Sequence, residues 1–231
     1  NGWAVGYSGR ISYTSNGGAN WTSQTSGTTN NLRGVSFIDT SNGWAVGDSG
    51  IILRTSDGGT TWINQTSNTT STLYSVSFID VSNGWVVGSS GTILHTSNGG
   101  SAWTSQTSNT TNRLNGVSFV DANNGWVVGR SATIRHTSDG GNTWINQTSG
   151  VSNSLYAVSF VDASNGWAVG SYGTLRYTSD GGSTWIGQTS GTANHLRAIT
   201  ATDSGHAWAV GDSGIIIRYQ AGAPPPPPPS G

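Results

Sequence analysis

Ten aspartates, nine arginines, four histidines and seven tyrosines carry whatever chemistry this 231-residue chain can do, because lysine, glutamate, cysteine and methionine are absent. Their spacing is regular. Asp39, Asp80, Asp121, Asp162 and Asp203 stand 41 residues apart, Asp57, Asp139 and Asp180 form a second column, and Asp48 and Asp212 a third, four periods apart. Glycoside hydrolysis needs two carboxylates in different environments, one acid and one base or nucleophile. Repeat-equivalent aspartates do not supply that difference. No G-x-S-x-G turn presents a nucleophilic serine, and without cysteine there is neither a thiol nucleophile nor a zinc knuckle. No enzyme is expected, and no metal or cofactor.

Binding chemistry is better supplied. One column reads Tyr7, Asp48, Ser89, Arg130, Ser171, Asp212, and a second reads Arg33, Tyr74, Asn115, Tyr156, Arg197. Just ahead of the second stand Asn31, Thr72, Arg113, Ser154 and His195. These positions vary while their neighbours repeat, and aromatic and arginine side chains are the usual anchors of binding surfaces. The candidate binding residues are therefore Tyr7, Arg33, Asp48, Tyr74, Arg113, Asn115, Arg130, Tyr156, His195 and Arg197. Drift at exposed turns is the competing explanation. A further mixed column, Tyr13, Arg54, His95, His136, Tyr177 and Arg218, is expected to cover the structure beneath it.

The elements that must position these residues follow from the tryptophans. All eleven keep the 41-residue period: Trp3 to Trp208 within NGWAVG-like segments, and Trp21, Trp62, Trp103, Trp144 and Trp185 between them. Each period reads as four short strands, exemplified by LYSVSFI, WVVG, TILHT and AWTSQT, separated by turns rich in Asn and Gly. Such units are the size of propeller blades. The expected fold is all-β, a β-propeller of 41-residue four-stranded blades over residues 1–221. About six blades are expected, five or seven being the alternatives, and a parallel β-helix is the runner-up. Counting strands gives 22, with the N-terminal blade lacking its first strand and the C-terminal blade its fourth. The incomplete blades are expected to be filled by residues beyond this sequence, or by a neighbouring copy or its extended tail. Residues 222–231, with Pro224 to Pro229, read as a polyproline tail. The chain opens mid-repeat at Asn1, as a processed or partial chain would.

TSDGGTTW, TSDGGNTW and TSDGGSTW, with Asp57, Asp139 and Asp180, and TSNGGANW and TSNGGSAW, with Asn16 and Asn98, match the S-x-D-x-G-x-x-W Asp-box. The whole unit resembles the Asp-box, or BNR, propellers of photosystem II assembly factors over about 95% of the chain. The resemblance implies that the box is a hairpin between third and fourth strands. There the Asp or Asn accepts backbone N–H groups and Trp21, Trp62, Trp103, Trp144 or Trp185 packs on the blade. It also implies no single function, since Asp-boxes occur in sialidases, receptors and lectins as well. Sialidases pair a tyrosine nucleophile with a glutamate base, and this chain has no glutamate.

A net charge of −1 removes the polybasic surface that nucleic-acid binding needs. No apolar run is long enough to span a membrane as a helix. The expected function is a non-catalytic interaction or structural module that binds another protein or copies of itself. A lectin-like glycan binder is the alternative, and a sialidase-type hydrolase is the least favoured. The expected location is extracellular or cell-surface, periplasmic or lumenal being the alternatives.

Overall fold

The computed structural model describes residues 1–220, and the proline-rich segment 222–231 lies outside the described residues. The chain divides into two compact units, 1–111 and 112–231, although the sequence period runs through the boundary.

The first unit holds three antiparallel sheets. The first has three strands, β1 (Gly2–Val5), β2 (Ile11–Thr14) and β3 (Thr22–Gln24). The second has four, β4 (Leu32–Phe37), β5 (Gly43–Gly47), β6 (Ile52–Thr55) and β7 (Ile63–Gln65). The third repeats it with β8 (Leu73–Phe78), β9 (Gly84–Gly88), β10 (Ile93–Thr96) and β11 (Thr104–Gln106). In the second unit come β12 (Leu114–Phe119), β13 (Gly125–Gly129), β14 (Ile134–Thr137) and β15 (Ile145–Asn146). They are followed by β16 (Leu155–Phe160), β17 (Gly166–Gly170), β18 (Leu175–Thr178) and β19 (Ile186–Gly187). The last sheet is three-stranded, β20 (Leu196–Asp203), β21 (His206–Gly211) and β22 (Ile216–Gln220). Each sheet is one blade of an all-β propeller, and the purely antiparallel order excludes the β-helix. The first described blade lacks a first strand and the last a fourth, as the strand count from the sequence has it.

The second strands of the four complete blades are buried end to end, so they read as continuous apolar runs and not as alternations. Their tryptophans fix neighbouring blades. In the first unit Trp44 is 0% exposed and stacks 3.5 Å from Phe78 of the following blade. Its indole N–H donates to the Gly99 carbonyl at 3.1 Å, so the buried polar tip is satisfied. Trp3 makes the same pair of contacts with Phe37 and Gly58. In the second unit Trp126 does so with Phe160 and Gly181. Trp167 departs from this, because β20 carries Ala201 where the other first strands carry Phe. Its ring lies against Tyr177 and Tyr219 instead.

The box tryptophans are not equivalent, which corrects the expectation that all five pack on their blades. Trp103, Trp144 and Trp185 are buried and Trp62 partly so, but Trp21 is 50% exposed. Trp62 sits edge-on to Phe37 of its own first strand and donates to Gln24 of the preceding blade. Trp103 and Trp185 repeat both contacts with Phe78 and Gln65, and with Phe160 and Gln147. Among the described residues the first blade has no first strand and no preceding blade, so Trp21 has neither partner.

Candidate functional site

The candidate rim is built by a backbone irregularity. Between first and second strands of each complete pair the register shifts: Leu32 pairs with Gly47 but Gly34 with Val46. The same shift recurs at Leu73/Ser75, Leu114/Gly116, Leu155/Ala157 and Leu196/Ala198. The residue left out of the ladder is Arg33, Tyr74, Asn115, Tyr156 or Arg197, the second variable column. A bulge turns a side chain off the pleat and is common beside functional sites. The signal was in the sequence. Leu32, Val35 and Phe37 are spaced three and then two, and a strand of period two that skips a residue has one extra.

A second link joins the other columns to this one. The residue after each second strand donates its backbone N–H to the carbonyl just ahead of the first strand: Asp48 to Asn31, Ser89 to Thr72, Arg130 to Arg113, Ser171 to Ser154 and Asp212 to His195, each at 2.9 Å. The three columns therefore meet at one end of each blade.

In the first unit they form a closed polar cluster. Arg33 grips Asp48 with two bonds, at 2.7 and 3.0 Å, and the Asn31 amide donates to Asp48 Oδ2 at 2.9 Å. The bond from Arg33 holds the Asp48 carboxyl below its ordinary range and raises the guanidinium. The Arg33 guanidinium lies 5.8 Å from the Tyr74 ring centre. Tyr7 stands clear, 74% exposed.

The second unit repeats and extends the arrangement. Arg197 holds Asp212 with two bonds of 2.8 Å and lies 4.8 Å from the ring of Tyr156. His195 meets Tyr156 edge-on at 6.0 Å. Arg130 is exposed and Arg113 partly buried. Asn115 is not an open rim position. Its amide donates to the Leu155 carbonyl at 2.7 Å, tying β12 to β16, so Asn115→Ala removes a bridge between blades and is expected to destabilise the fold.

One residue escaped the sequence analysis. Tyr172 follows Ser171 at a turn position where the five other blades place Ser8, Ser49, Ser90, Ser131 and Ser213, all with left-handed backbone. The bulkier Tyr172 adopts it too (φ 53°, ψ 45°) and is 70% exposed. Its backbone N–H donates to His195 Nδ1 at 3.1 Å. The break in a serine column was the available clue.

The boxes occupy the opposite end of each blade, where Gly58 and Gly99 donate to the carbonyls of Ser41 and Ser82, and Gly181 to that of Ser164. In the Asp57 box the Thr55 hydroxyl donates to Oδ1 at 2.8 Å, the Thr61 N–H to Oδ1 at 2.9 Å and the Thr61 hydroxyl to Oδ2 at 2.6 Å. Asp139 with Thr143 and Asp180 with Thr184 are the same. Where the box carries Asn16 or Asn98, the threonine is replaced by Asn20 or Ala102, so the second carboxylate oxygen and its hydroxyl donor disappear together. The hydroxyl and backbone bonds lower Asp57, Asp139 and Asp180 to about 2. A carboxylate depressed in the folded state stabilises it fully above the unfolded value and loses that contribution as pH falls through the folded one. Thermal stability is therefore expected to fall between about pH 4 and about pH 2. Changing all three to Asn should lower stability at neutral pH and flatten that fall, as scanning calorimetry across the range would show.

Between the two ends, the mixed column lies on the second-strand tryptophans. His95 and His136 stack 4.7 Å from Trp85 and Trp126, and Arg54 lies 5.7 Å from the Trp44 ring. Partial burial lowers both histidines, with no carboxylate to counter it. Asp48 and Asp212 are each engaged by arginine and lowered, so neither resembles a raised general acid. No group of three metal-ligating side chains gathers among the described residues, and no helix among them is long and apolar enough to cross a membrane.

The family described as photosynthesis system II assembly factor YCF48 is matched over residues 1–68, 19–105, 61–148 and 147–220. Among solved structures, YCF48 from Cyanidioschyzon merolae is similar with a TM-score of 0.75 and 22% identity, over 94% of this chain and 76% of that one. YCF48 bound to D1 peptide is similar with a TM-score of 0.61 and 18% identity, over 95% of this chain and 87% of that one. The Niastella koreensis GH74 enzyme gives 0.71 and 15%, over 94% of this chain and 42% of its own. No curated protein matches the chain.

Proposed function

The chain belongs to the family of the photosynthesis system II assembly factor YCF48, and on that premise we propose that it is a non-catalytic propeller whose bulged rim binds a segment of another protein. The observation that carries the proposal is the placement of Arg33 against Tyr74 and Arg197 against Tyr156. Both pairs stand on bulges that free them from the sheet. Flat aromatic faces backed by guanidinium groups anchor peptides well. A YCF48 has been solved bound to a D1 peptide, which supports a protein ligand over a glycan. The family also supports a lumenal or periplasmic location over a cell surface.

Fluorescence anisotropy with a labelled D1 peptide tests this. Binding is expected, and Arg33→Ala or Arg197→Ala should weaken it about tenfold, or about 1.4 kcal/mol. Glycan-array binding that depends on Tyr74 or Tyr156, with no peptide bound, would replace this reading with the lectin one. Sialosides and β-glycosides should not turn over. Turnover lost in Asp48→Asn or Asp212→Asn would make the protein a hydrolase.

A further inference from the structure

The rim of the second unit is more specific than a generic peptide surface. Tyr172 is a large aromatic side chain held at left-handed backbone angles, a conformation that bulky residues rarely adopt. Its ring is mostly in solvent, so fold stability does not account for it. Its position is nevertheless fixed. His195 Nδ1 takes the backbone N–H of Tyr172, and the two rings meet edge-on at 5.1 Å. His195 also meets Tyr156, on which Arg197 lies. The result is a series of aromatic groups that runs from the exposed Tyr172 to the half-buried His195 and Tyr156.

The polar character of this series is one-sided. Arg197 and Asp212 neutralise each other through two bonds, so the cluster offers no unpaired charge. Because Nδ1 of neutral His195 accepts a bond, its proton sits on Nε2, a donor. The Tyr172 hydroxyl is a second donor. Complementary to aromatic faces and free donors is an uncharged ligand with apolar ring surfaces, unpaired carbonyls and no N–H groups. A polyproline II segment is that ligand: its backbone makes no internal hydrogen bonds, and aromatic grooves recognise it as a preformed rod.

This chain carries such a segment, Pro224 to Pro229. We propose that the Tyr172–His195–Tyr156 series binds the proline run of a second copy of the chain. The proposal rests on the protein-binding reading above and names the partner of the same rim. A second copy is favoured over the same chain by direction. β22 leaves the rim turn at Asp212–Gly214 and ends at Gln220, opposite His206 and away from the rim. Rim and tail of different copies meet head to tail, so association depends on concentration.

Sedimentation velocity on the full chain over a hundredfold range of concentration, with a free acetylated PPPPPPSG peptide as competitor, tests this. Association reversed by the peptide is expected. In Tyr172→Ser, which restores the serine found in the other blades, association should be lost while thermal stability is equal or higher. Tyr172→Phe should keep it. The labelled peptide should bind the wild-type chain at least tenfold more tightly than Tyr172→Ser. A wild-type chain that is monomeric throughout and does not bind the peptide overturns the proposal. Peptide binding without association overturns the second copy as the occupant. If the D1 peptide binds through Arg33 or Arg197 while the proline peptide does not, only this proposal falls.

Discussion

Replacing Trp44 by alanine is expected to lower the free energy of unfolding by about 3–5 kcal/mol, a large part of the stability of any domain of this size. The indole is fully enclosed, stacked on Phe78 of the next blade, and its N–H holds the Gly99 carbonyl. Alanine leaves a cavity between two sheets and strips a bond from the box turn at Asn98 and Gly99. Trp21→Ala is the control. Half exposed and without the phenylalanine and glutamine partners of its counterparts, Trp21 should cost about 1 kcal/mol or less. Urea midpoints of the two variants decide the matter, and equal losses would mean that tryptophan composition and not blade-to-blade stacking holds the fold.

Gly50→Ala is expected to be as damaging for a different reason. Gly50 adopts φ +72°, and a Cβ there would overlap the carbonyl oxygen of Thr69 in the loop after the fourth strand. Left-handed backbone costs an alanine about 1–2 kcal/mol. The overlap must additionally displace the loop, taking the expected loss beyond about 4 kcal/mol. Gly214 is the matching position in the last described blade, at φ +71°, but nothing lies within 4 Å of its Cβ site. Gly214→Ala should therefore show the backbone cost alone. Similar losses at both sites would assign the effect to φ and not to the close approach.

These residues also show what the sequence made legible. Strand order, strand number and the box hairpins follow from a 41-residue period and from alternation, because each depends on contacts inside one repeat. The stacking of Phe78 on Trp44 was not legible, since it joins positions 34 residues apart on different blades. Trp21 was misjudged for that reason, because a repeat position has its burial only when the neighbouring repeat supplies the partners. The rim columns were found by their variability. The bulge that presents them went unread, although the three-residue step from Leu32 to Val35 encodes it. Asn115 looked like any other rim residue because nothing local reveals that its amide reaches Leu155.

The register shift at Arg33, Tyr74, Asn115, Tyr156 and Arg197 separates what a blade must be from what it shows. The strand resumes its pairing one residue later whatever the bulged side chain is, as arginine, tyrosine and asparagine at this one position demonstrate. The scaffold thus behaves as a keyboard with interchangeable keys. Recombining residues at the four positions other than Asn115 amounts to a small combinatorial library, in which ligand preference changes while strand pairing does not.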